Sequence, residues 1–172
     1  MKTVELVLNN DETCYLKSDK VENIPFEHLT SELKKNIVTI YPEFFTWFKE
    51  KAKGRDCYAI YCYDPKYGYV LAGYLIYKQC FTKHYGMNDK IETIKICSLY
   101  VVNKYRNIGV GSLLVNYLLF TNTPKQCYVT IKKDLQKLNE YWSTNFGFTL
   151  ISTKDKTNEN VYGRIFNNKG EY

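Results

Sequence analysis

The residues with the clearest potential for chemistry form one short run, Arg106-Asn107-Ile108-Gly109-Val110-Gly111. The run follows a predicted strand, Ile91 to Val102, and from Gly109 onward the apolar residues recur at helical spacing. The first N–H groups of a helix have no partner within the helix, and the helix dipole adds partial positive charge there. Glycine lets a backbone approach a ligand closely. The run therefore predicts a phosphate-binding loop, with Arg106 as a positive charge at its rim.

Two common glycine-rich phosphate loops do not fit this run. The dinucleotide-binding pattern G-x-G-x-x-G needs a third glycine where Leu114 stands, and no Gly-Lys-Ser/Thr follows as a P-loop requires. The simplest alternative is a plain strand-to-helix turn in which the two glycines only permit tight packing.

The pattern of elements predicts a mixed α+β or α/β fold for residues 1–172 as a single domain. We expect a central twisted mixed sheet of six to seven strands, flanked by helices on both faces. The predicted strands are Val4 to Leu8, Cys57 to Tyr63, Tyr69 to Tyr77, Ile91 to Val102, Gln126 to Ile131, Phe148 to Ser152 and Val161 to Phe166. Helices are predicted from Ser31 to Ile40, after Pro42, from Gly109 onward and from Asp134 to Asn145, and a loop is predicted from His84 to Asp89. An aromatic stripe after Pro42 is predicted to face the core, and Gly147 is predicted to cap the last helix.

Composition excludes several classes of protein. The six cysteines form no C-x-x-C pair and His28 and His84 are the only histidines, so we expect no metal site. The chain has no signal-like or bilayer-length apolar run, and it is predicted to be a cytoplasmic protein without membrane attachment. The formal charge of +6 weakly favours an acidic partner such as RNA, although lysine supplies most of the positive charge. A homodimer is left open.

Two segments resemble one known family. The stretch from Leu99 to Leu114 is similar to the acetyl-CoA motif of the GNAT acetyltransferases, in which a strand is followed by (R/Q)-x-x-G-x-(G/A) and a helix. The later stretch from Tyr141 to Phe148 resembles the family's next helix, which ends in an aromatic or aliphatic residue followed by Gly-Phe. The two stretches lie in the expected order, with the predicted strand Gln126 to Ile131 between them.

The resemblance implies acetyl-CoA as the co-substrate, lying in a splay between the strand that ends near Val101 and the strand after residue 126. Backbone groups of Leu99, Tyr100, Val101 and Val102 would pair with the pantetheine arm or donate to the developing oxyanion. The pyrophosphate would be held by backbone N–H groups of the residues Arg106, Asn107, Ile108, Gly109, Val110, Gly111 and Ser112. The reaction would be direct attack of a primary amine on the thioester.

Three side chains are candidates for proton transfer. Glu92 lies near the family's usual base position, about one residue out of register, and a one-residue slip on a strand reverses the face of a side chain. The family's acid tyrosine falls on Ser143 by direct counting, and Trp142 follows if one extra residue is allowed. Either Tyr141 or Ser143 would substitute, or coenzyme A would leave with help from water. Cys97 is expected to be a buried structural residue rather than a nucleophile.

Three functions stay open at this point. The leading one is an acetyltransferase whose acceptor is a small-molecule amine, a peptide amine or an RNA-linked amine, the last as in toxin-like members that modify aminoacyl-tRNA. The second is a catalytically weak or inactive module of the same fold that binds acyl-CoA or docks to a partner. The third is a basic RNA-binding domain with tyrosines stacked on bases.

Overall fold

The computed structural model describes residues 2–26, 30–38, 41–83 and 90–166. Its strands are β1 Lys2–Val7, β2 Thr13–Lys20, β3 Asp56–Asp64, β4 Gly68–Lys83, β5 Lys90–Val101, β6 Gln126–Lys132, β7 Thr149–Lys154 and β8 Glu159–Ile165. Its helices are α1 Thr30–Asn36, α2 Phe44–Lys51, α3 Val110–Asn122 and α4 Gln136–Phe146. The predicted loop from His84 to Asp89, together with His28, lies outside the described residues.

The strands form one mixed sheet in the order β1-β2-β3-β4-β5-β6-β8-β7. The predicted mixed sheet is confirmed, but it has eight strands rather than six to seven. The additional strand is β2, which is not predicted because its polar residues Lys17 and Asp19 mask the alternation of buried Cys14 and Leu16. This strand pairs with β1 on one side and β3 on the other, both antiparallel.

The chain divides into two compact units, residues Met1–Ile76 with Ser98–Leu118, and Tyr77–Cys97 with Leu119–Tyr172. In the first unit, helices cover both faces of β4. The ring of Tyr74 lies 5.1 Å from Phe26, which in turn contacts Phe48 of α2 at 4.9 Å. The preceding residue, Gly73, faces the opposite side of the sheet, where a Cβ would point toward Val110 at the start of α3. The aromatic stripe after Pro42 is only partly in the core, because Phe44 is buried whereas Phe45 and Phe48 are half-buried.

In the second unit, β5 pairs with β6 in parallel from Thr93↔Gln126 to Ile96↔Val129. The strand β8 lies antiparallel to β6 and to β7. Helix α4 packs through Trp142 and Phe146, and Trp142 lies 5.2 Å from Phe148. Gly147 ends α4 with a left-handed φ of 63°, which confirms the predicted cap.

Candidate functional site

The loop between β5 and α3 has an unusual backbone. Asn107 and Gly109 both have positive φ, 65° and 95°, and α3 begins directly afterwards at Val110. Asparagine tolerates the left-handed region better than most residues, and glycine does so freely. The right-handed residues of α3 follow Gly109 directly, and a left-handed residue beside right-handed ones turns successive N–H groups toward one concave side, a common anion-binding arrangement. The two residues with positive φ are therefore Asn107 and Gly109, whereas the second glycine of the run, Gly111, lies within the first turn of α3.

The helix after this loop is long enough for its macrodipole to place partial positive charge at its N-terminus. It spans 13 residues, and the first helical bond is donated by the N–H of Leu113 to the carbonyl of Gly109, at 2.8 Å. The N-terminal turn, where the positive end of the dipole lies, therefore coincides with the predicted phosphate-binding residues. Val110 is buried and fixes the start of the helix.

The end of β5 presents alternate backbone groups to alternate sides. The N–H of Val102 donates to the carbonyl of Ala72 in β4 at 2.9 Å, and the carbonyl of Tyr100 also faces β4, beside Gly73. The backbone groups of Leu99 and Val101 consequently point away from β4. Of the four residues predicted to meet the pantetheine arm, these two have the suitable backbone direction, whereas the amide of Val102 is already used.

Arg106 bends back onto the strand that precedes it. Its Nε donates to the carbonyl of Val101 at 3.0 Å, and its guanidinium lies 5.6 Å from the centre of the Tyr100 ring. The side chain is exposed, as the predicted rim position requires. These contacts fix the stem of the guanidinium, and no described residue hydrogen-bonds to its terminal nitrogens, so they can turn toward an anion.

A carboxylate from α1 ties the loop to the rest of the first unit. Glu32 Oε1 accepts one hydrogen bond from the Tyr100 hydroxyl and another from the N–H of Asn103, each at 2.8 Å. Asn36 donates to the same hydroxyl at 3.1 Å. Burial is the largest cause that raises the pKa of Tyr100, so the phenol keeps its proton at neutral pH and stays a donor to Glu32.

The turn at residues 103–105 has a second anchor on the β3–β4 hairpin. Lys104 Nζ lies 2.5 Å from Asp64 Oδ2, and this hydrogen bond is the largest cause that lowers the pKa of Asp64. Glu32 thus holds the first residue of the short turn that leads into the phosphate-binding loop, and Asp64 holds its middle residue.

A glycine in β4 allows three elements to meet closely. A Cβ on Gly73 would lie 2.9 Å from the carbonyl oxygen of Tyr100 and 2.9 Å from Val110 Cγ1. Both distances are too short for a real contact, so a larger residue would separate β4 from β5 or from α3. Sequence reasoning missed this residue, although a glycine inside a strand is a known signal of close backbone approach.

The three predicted proton-transfer residues all lie in the second unit, on two elements. Glu92 is exposed near the start of β5. Tyr141 packs its ring edge-on against Phe146 at 5.3 Å. Ser143 is exposed, and its hydroxyl donates to the carbonyl of Glu140, one helical turn earlier, at 3.0 Å. Trp142 is 2% exposed and belongs to the core.

The cysteines are mostly structural. Burial raises the pKa of Cys62 to about 12 and raises the pKa of Cys57 and Cys127 as well, so these thiols stay protonated. Cys97 is half-buried rather than buried, and its thiol donates to the carbonyl of Lys95 at 3.4 Å. Within the described part of the chain, no three His, Cys, Asp or Glu residues are grouped as metal ligands would be. Across the same residues, no helix is long and apolar enough to cross a bilayer.

Comparison with solved structures gives the same fold. The chain is similar to NAA60 of Arabidopsis thaliana in complex with a bisubstrate analogue, with a TM-score of 0.67 and 14% identity over 88% of this chain and 99% of the other. It is also similar to an Arabidopsis thaliana Naa50 complex with the bisubstrate analogue CoA-Ac-MVNAL, with a TM-score of 0.54 and 16% identity over 88% and 99% of the two chains. A GNAT-family acetyltransferase from Listeria monocytogenes matches with a TM-score of 0.62 and 12% identity over 95% and 100%.

Sequence comparison identifies a family for this chain and no individual curated relative. No curated protein matches this chain. The model of the acetyltransferase (GNAT) family matches residues 23–148, which include β3 to β6, all four helices and the loop described above. The chain belongs to the acetyltransferase (GNAT) family.

Proposed function

We propose that residues 1–172 act as one acetyl-CoA-dependent N-acetyltransferase domain that transfers an acetyl group to a primary amine. The observation that carries the proposal is the loop in which Asn107 and Gly109 have positive φ directly before α3, in a member of this family. Its concave backbone and the helix N-terminus suit a diphosphate. The N–H of Arg106 already donates to the carbonyl of Asn103 at 3.3 Å, so the proposed donors are the backbone N–H groups from Asn107 to Ser112.

The pantetheine arm would lie along the end of β5. Leu99 and Val101 turn their backbone groups away from β4, and a pantetheine amide can pair with such groups as an added strand does. One of the two N–H groups would also donate to the thioester oxygen as negative charge develops on it.

The reaction is a direct transfer. The amine nitrogen forms a bond to the acetyl carbon, the carbon–sulfur bond breaks, and the electron pair leaves with the sulfur of coenzyme A. The ammonium group must first lose a proton, and the thiolate gains one on leaving. Glu92 is the proposed base, acting through water because it is exposed, and Tyr141 is the proposed acid. Ser143 is a poorer acid candidate, because its hydroxyl is already bonded to Glu140.

The acceptor class is proposed from chemistry and from the neighbours. The Arabidopsis structures contain bisubstrate analogues, one of which carries the peptide MVNAL, so peptide N-termini come first in an acceptor panel. Small amines such as polyamines follow. Because the formal charge of +6 favours a polyanionic partner, the panel also includes aminoacyl-tRNA as an RNA-linked amine.

A second candidate function is a module that binds acyl-CoA without turning it over. It is favoured by the helix α4, where Trp142 is in the core and the Ser143 hydroxyl is occupied. Its signature is saturable binding of acetyl-CoA with no thiol release on any amine in the panel.

The test is thermal unfolding with coenzyme A and with acetyl-CoA, followed by thiol release across the amine panel. A ligand at 100 times its Kd stabilises the folded state by about 2.7 kcal/mol, which gives a measurable rise in Tm. Gly109→Glu places a carboxylate in the loop and should abolish that rise. Gly68→Glu is the matched control, because Gly68 also has positive φ, 73°, and, its chain neighbours apart, no heavy atom of the described residues lies within 4 Å of its Cβ position. Equal ligand-induced shifts in the two variants would refute the loop as the site.

A further inference from the structure

The turn between β1 and β2 lies against the phosphate-binding loop. The N–H of Asn9 donates to the carbonyl of Ile108 at 3.3 Å. The position of a Cβ on Gly109 would lie 2.8 Å from Asn9 Oδ1, 2.9 Å from its Cγ and 3.0 Å from its Nδ2. All three side-chain atoms are equally near, so the carboxamide lies flat against the Cα of Gly109.

The position of Asn9 is fixed by the turn itself. The N–H of Leu8 donates to the carbonyl of Glu12 and the N–H of Asp11 donates to the carbonyl of Leu8, both at 3.0 Å. Leu8 is buried and anchors the turn, and Asp11 has a φ of 64°. The backbone of Asn9 is therefore held beside the loop by a closed hydrogen-bonded turn, and its exposed side chain lies against Gly109.

A side chain at the position of Asn9 is compatible with a bound anion only if it carries no negative charge, and a hydrogen-bond donor there would favour the anion. A carboxamide offers two N–H donors and no charge, whereas a carboxylate of the same shape offers a negative charge and no donor. The residue lies outside the stretch 23–148 that matches the family, so the feature belongs to the N-terminal hairpin of this chain.

We propose that Asn9 forms one wall of the diphosphate site, where its carboxamide positions Gly109 and selects for the anionic ligand. The proposal rests on the proposed function, because it requires coenzyme A at this loop. A carboxylate at this position would fill the same space against Gly109, but it would repel the diphosphate and could not donate to it.

The chain offers a matched control in the next residue. Asn10 lies in the same turn and is exposed, and its Oδ1 accepts from the N–H of Glu12 at 3.4 Å. Asn10→Asp preserves that acceptor and adds the same charge one residue away from the contact with Gly109. A general effect of charge or of hairpin stability would appear in both variants.

The experiment is calorimetric titration of the wild-type chain, Asn9→Asp and Asn10→Asp with coenzyme A and with dephospho-coenzyme A. We expect Asn9→Asp to raise Kd about tenfold or more for both ligands, since like charges a few ångströms apart repel by this order. Asn10→Asp should stay within about twofold of the wild type. Dephospho-coenzyme A keeps the diphosphate and lacks the 3′-phosphate, so a loss that persists with it assigns the effect to the diphosphate.

The outcomes separate the two proposals. No binding by the wild type overturns the proposed function and this inference with it. Normal wild-type binding with equal losses in Asn9→Asp and Asn10→Asp, or a loss that disappears with dephospho-coenzyme A, overturns the role of Asn9 alone. If Asn9→Asp does not fold, Asn9→Ser is compared with Asn10→Ser, and equal Kd values in that pair are the contradicting result.

Discussion

Glu32 in α1 and Tyr100 in β5 are 68 positions apart in the sequence and share a hydrogen bond of 2.8 Å between the carboxylate and the phenol hydroxyl. The same carboxylate oxygen accepts from the N–H of Asn103, where the chain turns toward the phosphate-binding loop. Through these two hydrogen bonds, α1 supports the turn that precedes the proposed acetyl-CoA site.

Removing this carboxylate should loosen the turn. We expect Glu32→Ala to lower the free energy of unfolding by about 1–3 kcal/mol, because it leaves a hydroxyl and a backbone N–H without their acceptor. Glu32→Gln, which retains a carbonyl oxygen, should lose less. Urea unfolding gives the stabilities, and the Kd for coenzyme A should rise in the same order. Glu50→Ala, at an exposed position of α2, is the control; a loss as large as that of Glu32→Ala would contradict the anchoring role.

A methyl group at Gly73 should disturb the start of α3. Gly73→Ala would bring a Cβ to 2.9 Å from both Tyr100 and Val110, and such overpacking costs about 1–3 kcal/mol. We expect a lower Tm together with weaker binding of coenzyme A, because the helix N-terminus shifts. Gly68→Ala adds a methyl group where the described residues, apart from the chain neighbours, place no heavy atom within 4 Å, so it carries only the strain of its positive φ. If Gly73→Ala bound coenzyme A as tightly as Gly68→Ala, the close approach would have no bearing on the site.

The hydroxyl of Ser143 should be dispensable for catalysis. It is exposed and already donates to Glu140, so we expect Ser143→Ala to keep kcat within about twofold of the wild type. Tyr141→Phe tests the proposed acid, and removing a general acid typically lowers kcat about 10²-fold or more. Steady-state thiol release measures both. A large loss in Ser143→Ala with normal binding of coenzyme A would move the acid to Ser143.

Alkaline conditions should destabilise the fold. Burial raises the pKa of Cys62, Tyr61 and Tyr128 each to about 12, so the folded chain retains protons that the unfolded chain releases from about pH 8.5 to 10 upward. Their stabilising contribution is complete below the unfolded pKa values and is lost as pH rises toward 12. Denaturant unfolding from pH 8 to 11 should show a steadily falling free energy. Tyr61→Phe removes one of these groups and should flatten the fall; an unchanged slope in that variant would contradict the assignment.

The sequence predicts the elements whose signals are local. Local patterns of neighbouring residues indicate the strand β5, the glycine-containing run and the cap at Gly147. The structure has a strand, a loop with two residues of positive φ and a helix end at these positions. The strand β2 is not predicted because most of its side chains are polar and its partners β1 and β3 decide its conformation.

The surroundings of the loop could not be predicted in the same way. Glu32 reaches Asn103 across 71 positions and Asn9 reaches Ile108 across an even longer stretch of sequence, and no local pattern encodes such contacts. The direction of the Val102 amide likewise depends on its pairing with Ala72. Contacts between distant segments are set by the topology of the sheet, which single residue types do not reveal.

The most direct test of the central claim is a calorimetric titration of the unmodified chain with coenzyme A, beside the same titration with pantetheine. If the backbone around Asn107 and Gly109 holds a diphosphate, coenzyme A should bind saturably at one site and pantetheine should bind far more weakly. Absence of heat with coenzyme A, or equal affinity for the two ligands, would contradict a diphosphate site in this loop.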